Sequence, residues 1–267
     1  MADRNLGAPF VFNQAMLKRF SLPHALIWVA PAALLAALTL PTAASAAVVQ
    51  IGQTKTPLTA PACPKGTSTS SCKIVLERTT AIQTKSDGVS SPTVVKQNGW
   101  IVAFTVGLSR LSTNAKTVHS LLHGLDTAYG GVPQLALTVL KPGPKNTWTV
   151  RAQSGNYHLI PFLGQVLTEP LSLPPKFSAF TALPVKQGDV LALTVPTWAP
   201  ILTYNLSAGQ FAYAQSRTQN CSSAAGSQTA QTKVGSSTRY GCAYTGTRVE
   251  YSATEVTNVP YPKHYNH

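Results

Sequence analysis

Side chains alternate along much of this chain. In WIVAFTVGL, residues 100–108, Trp100, Val102, Phe104, Val106 and Leu108 fall on one face while Ile101, Ala103, Thr105 and Gly107 take the other. That period of two is what a strand requires. Because the second face is only half polar, the strand is expected near the middle of its sheet. PQLALTVLKPG, 133–143, repeats the scheme: Leu135, Leu137 and Val139 alternate with Ala136 and Thr138 before the Lys141-Pro142-Gly143-Pro144 stop. WTVRAQS, 148–154, follows as its hairpin partner. In LPVKQGDVLALTVPTWAP, 183–200, Lys186-Gln187-Gly188-Asp189 supplies turn chemistry, and Leu191, Leu193 and Val195 then share one face of a core strand. Asp189 reads as a turn-stabilising acceptor rather than a catalytic acid. Further strands are expected near 73–84, 211–217, 239–244 and 247–256. In the last, Val249, Tyr251 and Ala253 oppose Glu250, Ser252 and Thr254, which predicts one wet face.

One segment follows another rhythm. In STNAKTVHSLLHGLDTAY, 112–129, Val118, Leu121, Leu122 and Leu125 recur at helical spacing, with Ser112 or Thr113 available as N-cap and Gly130-Gly131 as a stop. A short helix near 113–127 is expected, packed on the sheet or closing one end. Many short strands with Gly/Pro turns and one helix predict an all-β fold, an antiparallel β-sandwich of jelly-roll type.

The N-terminus belongs to a different pattern. Lys18 and Arg19 precede an apolar run, Ala25 to Leu40, which Pro41 ends before Ala44-Ser45-Ala46. Charge, apolar stretch and small-residue site in that order predict a signal peptide over 1–46, cleaved after Ala46. The run is too short for a membrane anchor, which needs roughly 20 residues, so the membrane is met only during export. Met16 would open a leader of more ordinary length. Residues 47–256 then form a single β-sandwich domain, and 257–267, with Tyr261 and Tyr265, a disordered tail.

Charge narrows the choice of partner. After Ala46 there are 18 Lys and Arg against 7 Asp and Glu, spread singly from Lys55 to Lys263. Nucleic-acid tracking wants basic residues gathered on one face among stacking aromatics, and export argues against a genome as partner. Anionic wall polymers fit better, since long-range attraction needs only net charge. A plainer reading is that the lysines keep strand edges apart.

Cys63, Cys72, Cys221 and Cys242 all follow the leader, an even count that suits an oxidising compartment. Three pairings are open. Joining each near neighbour would close two surface loops, PKGTSTSS and SSAAGSQTAQTKVGSSTRYG, each bridge contributing roughly 3 kcal/mol. No Cys/His spacing suggests zinc.

Catalytic patterns are sparse. His119 and His123 stand four apart, opposite the leucine stripe, but the glutamate of H-E-x-x-H is missing and Lys116 would repel a cation, so no metal or cofactor is expected. Glu250 and Glu255, five apart on a strand, would point to opposite faces and make a poor glycosidase pair. The nucleophile elbow, phosphate loop, dinucleotide loop and calcium loop are all absent. Trp198, in PTWAPILTYN beyond a strand end, reads first as a cap on the core, as large aromatics do; with the nearby Tyr204 it is also the candidate for stacking on a sugar ring.

Taken together, GWIVAFTVGLS, YGGVPQLALTVLK, LPVKQGDVLALTVPTWAP and YGCAYTGTRVEYSAT resemble a family of exported, uncharacterised β-sandwich proteins of high-GC soil actinobacteria. The likeness spans roughly Val48 to Val256. It implies export, a single sandwich-like domain and pairing of the two late cysteines, and assigns no catalytic residue. The expectation is a secreted or surface-held, non-catalytic protein that binds carbohydrate or wall polymer, or is structural, outside the cell. The competing class is a secreted hydrolase whose site is assembled from scattered residues, and it would need His158 or His119 within reach of a serine or carboxylate.

Overall fold

The computed structural model describes residues 46–63, 74–172, 181–219, 221 and 228–258. The leader, most of the loop around Cys72 and the tail beyond Asn258 lie outside them. In chain order the elements are β1 (Ala47–Ile51), β2 (Leu76–Ser86), β3 (Val89–Ser90), β4 (Gly99–Gly107), α1 (Ala115–Tyr129), β5 (Gln134–Pro142), β6 (Thr147–Gln153), β7 (Tyr157–His158), β8 (Val166–Pro170) and β9 (Leu183–Val185). There follow β10 (Val190–Ala199), β11 (Leu202–Thr203), β12 (Ala212–Gln215), β13 (Ser237–Arg239), β14 (Cys242–Thr245), β15 (Arg248–Val249) and β16 (Tyr251–Thr257).

Two antiparallel sheets carry the fold. One runs β1-β16-β4-β8, with β9 beside β4; the other runs β13-β6-β5-β10-β2-β12-β14, with β3 and β7 attached to β2 and β5. Phe104, Val106 and Ala253 from the first sheet meet Leu137, Val139, Leu191, Leu193 and Val195 from the second in one buried cluster. This is a sandwich, built where the alternating sequence placed its apolar faces. Tyr251 braces the two layers: its hydroxyl donates to the Leu191 carbonyl at 2.8 Å and accepts from the Gln83 amide at 3.2 Å.

The second sheet is buried on both sides. Val190, Ala192, Leu140, Val150 and Ile82 gather with Tyr240 on its outer face. Beside them runs a row of hydroxyls, with Thr138 2.7 Å from Thr194, Thr194 2.9 Å from Thr80, and the Gln231 amide donating to Thr80 at 2.9 Å. The Gln231 side chain donates to the Trp148 and Ser236 carbonyls and accepts from Tyr240, so this polar row is satisfied beneath its cover.

Several expectations need correction. First, the alternation in β4 breaks at Val102: Thr254 pairs with Ala103 but Glu255 pairs with Ile101, a bulge that leaves Val102 unmatched and turns Ile101 into the core. Second, the 247–256 strand has no wet face at Glu250 and Ser252, which are 1% and 5% exposed. The segment before β2 crosses there so closely that a Cβ on Gly107 would lie 1.9 Å from the Thr59 carbonyl oxygen. Third, the helix starts two residues later than expected. Its N-cap is Asn114, whose side chain accepts from the Thr117 amide, and Gly130 ends it in the left-handed region at φ 80°.

Cys221 and Cys242 are joined by a disulfide with Cα atoms 5.4 Å apart. Cys63 is also disulfide-bonded, and Cys72 lies outside the described residues. Strand β16 runs through Thr257, which is fully buried, so the strand continues one residue past the expected domain boundary.

Candidate functional site

Trp198 is 0% exposed, which agrees with its reading as a core cap and leaves no ring face for stacking on a ligand. Between Val195 and Trp198 the register of β10 on β2 shifts, and Trp198 packs on the outer side of the sheet, in a cluster apart from Leu191, Leu193 and Val195. Helix α1 lies across that side. Leu121, Leu122, Leu125 and Tyr129, all half-buried, pack around Trp198, Ile74 and Leu111. The indole N–H donates to Asp126 Oδ1 at 2.9 Å, which fixes the helix to the strand. Tyr204 joins this cluster half-buried, and its hydroxyl is enclosed with no hydrogen-bond partner among the described residues. The two aromatics therefore do come together, but as the floor beneath a helix rather than as a platform for a ligand.

The acids have a common fate. Asp189 is 1% exposed, accepts the Lys186 amide at 2.8 Å and pairs with Arg151 Nε at 2.8 Å. Desolvation nonetheless raises its carboxyl, against the pull of that amide and guanidinium. Glu250 and Arg248 form a pair at 3.7 Å with side chains 2% and 3% exposed. Glu250 Oε2 also accepts the Thr59 amide, and Arg248 Nη1 donates to the Pro57 carbonyl, so the pair pins the crossing segment. Burial raises Glu250, partly offset by Arg248. Partial desolvation would raise Asp87 as well, but hydrogen bonds from Thr54 and Thr56 outweigh it and hold the group at about 2. Glu77 lies 3.8 Å from Arg217, and Asp126 holds Trp198. Glu169, on β8, is half-buried.

Glu255 differs from the rest. It is 1% exposed, shares the inward face of Ile51 and Phe104, and its Oε1 has no partner among the described residues. Burial alone pushes its carboxyl to about 7. An acid whose folded-state value is raised favours folding while protonated. The unfolded chain begins to ionise this group near pH 4.5, so stability falls as pH rises from there to about 7 and stays reduced above. With solvent screening allowed for, the loss is on the order of 2 kcal/mol. Glu255→Gln is therefore expected to raise the urea midpoint at pH 8 and to flatten its slope between pH 5 and 7. An unchanged slope would show the group to be better solvated than its burial indicates.

With all seven acids after Ala46 buried or half-buried, the exposed charged side chains of Lys, Arg, Asp and Glu among the described residues are cations: Lys55, Lys96, Arg110, Lys116, Lys141, Lys145, Lys186, Lys233 and Arg239. Sequence reasoning counted this excess without seeing that burial sharpens it. It also missed the end built from Glu77, Arg217, Tyr129, Tyr213 and Tyr244. There Tyr213 and Tyr244 stack at 4.9 Å between centroids as cross-strand partners of β12 and β14, and burial raises all three phenols.

His119, His123 and His158 are exposed, and none hydrogen-bonds to a serine or carboxylate among the described residues. No group of three His, Cys, Asp or Glu side chains gathers as a metal site among those residues, and no helix there is long and apolar enough to cross a membrane. Compared with protein families, curated proteins and solved structures, the chain has no significant match.

Proposed function

We infer that this is an exported, non-catalytic β-sandwich protein that works outside the cell by holding an anionic wall polymer or carbohydrate. The observation that carries the reading is the segregation of charge: among the described residues every carboxylate is buried or half-buried while nine lysines and arginines are exposed, so the charge presented to solvent is mainly positive. The Cys221–Cys242 bridge suits an oxidising compartment. The charge, apolar run and small-residue site before residue 47 have the order of an export signal, and the resemblance to exported sandwich proteins points the same way.

Attraction of this kind weakens with salt. In a pull-down on purified wall polymer, binding is expected at about 0.05 M NaCl and to be lost by about 0.5 M, as the screening length shrinks severalfold. Trp198→Phe, which keeps the core filled, is expected to bind as the parent does. Absence of binding at low salt, or binding indifferent to salt, would overturn the reading.

A further inference from the structure

The basic residues are scattered along the sequence, yet strand register gathers six of them at one margin of the larger sheet. Lys141, one residue from the end of β5, stands opposite Thr149 of β6, and Lys145 sits in the turn joining the two strands. Arg239 closes β13 opposite Thr147, and the next amide, Tyr240, donates to the Asn146 carbonyl beside Lys145. The 233–236 turn carrying Lys233 docks on β6 through Gly235 N–H to the Val150 carbonyl at 2.8 Å. On the other flank, Val190 pairs with Leu140, which brings the 186–189 turn and Lys186 beside Lys141. Lys96 joins them because Val95 and the turn exchange backbone bonds, Val95 N–H to Asp189 O at 2.8 Å and Gly188 N–H to Val95 O at 3.0 Å.

All six side chains are exposed. The acid among them, Asp189, is buried and already paired with Arg151. Strands lie about 4.8 Å apart, so β13, β6, β5, β10 and the Val94–Lys96 segment bridged to β10 spread these cations over roughly 19 Å. That spacing is too wide to converge on one small anion, and it suits charges repeated along a flexible chain, each replacing a released counterion.

We propose that this margin, from Arg239 across the β5–β6 turn to Lys96, is the docking site for a soluble linear polymer carrying repeated phosphate or carboxylate groups. The proposal rests on the polymer-binding reading and locates it. Plain solubility of the strand ends is the competing explanation.

The test measures binding of the purified protein to inorganic polyphosphate and to polyglutamate across a salt series. Two triple variants each remove three charges: Lys141→Gln/Lys145→Gln/Arg239→Gln at the margin, and Lys55→Gln/Arg110→Gln/Lys116→Gln elsewhere. The margin variant is expected to bind at least about tenfold more weakly, with its salt slope reduced by about 2 to 3, and the control to lose less than about threefold. Equal weakening by both would overturn the localised site and leave the general reading standing. Failure of the parent protein to bind either polymer would overturn both. Preference for anionic phospholipid vesicles, or for single-stranded DNA, over either polymer would overturn the choice of partner. Thermal melts of both variants matching the parent's secure the comparison, and a loss confined to a variant whose melt has shifted counts against the site.

Discussion

Replacing Trp198 by Ala is expected to destabilise the domain by about 4 kcal/mol, in the range of Trp truncations that leave a cavity. The ring is wholly enclosed between β10 and α1, and none of the helix residues is itself fully buried. The helix therefore depends on this one side chain more than on any of its own. Truncation also leaves Asp126 without the donor that ties α1 down. Trp198→Phe separates the two contributions, since it retains most of the apolar volume but not the N–H, and should cost roughly 2 kcal/mol as a lost hydrogen bond to a charged acceptor. Urea unfolding measures both changes, and amide exchange in α1 should accelerate in each variant while exchange in β5 and β10 holds. A loss below 1 kcal/mol for Trp198→Ala would mean that the helix is held by something other than the indole.

The second large effect is at Arg248. Removing one member of a buried pair strands the other, typically at 3–5 kcal/mol. Arg248→Met leaves the Glu250 carboxylate 1% exposed, without its counter-charge, and removes the donor to the Pro57 carbonyl. Desolvation already raises Glu250, and of the groups that oppose the rise, ahead of Thr203 and the Thr59 amide, the foremost is Arg248. Without it the folded-state value climbs further above the unfolded one. The variant should accordingly show its smallest deficit near pH 4.5, where the lost Pro57 bond remains, lose further ground as pH rises through the raised value, and carry its full deficit at pH 8. Arg248→Met/Glu250→Gln should recover most of the loss at pH 8. A deficit that does not change with pH would show that the pair matters for packing alone.

Much of the architecture was legible because sheets impose a period of two, which the stretches at 104–108, 135–139 and 190–195 display. What escaped were the places where a distant segment decides exposure. Glu250 and Ser252 alternate as a wet face should, and only the crossing of residues 57–59 dries them. Trp198 and the leucine stripe of α1 were each visible, yet the sequence carries no mark that the one is the other's partner. The cationic margin was invisible for the same reason: its members come from four separate stretches of chain, between Lys96 and Arg239, and register alone makes them neighbours. Glu255 reads as an ordinary strand-end polar residue until the bulge at Val102 is known.

The first strand of the domain pairs with its last, from Ala47 against Thr257 to Ile51 against Ala253. A chain emerging N-terminus first from the ribosome can form the β5–β6 hairpin early, but β4 then waits with an unpaired edge until the final strand arrives to fill the slot between it and β1. Such late closure over some two hundred residues implies slow maturation, and an interval in which that open edge is a target for chaperones or for another half-made copy.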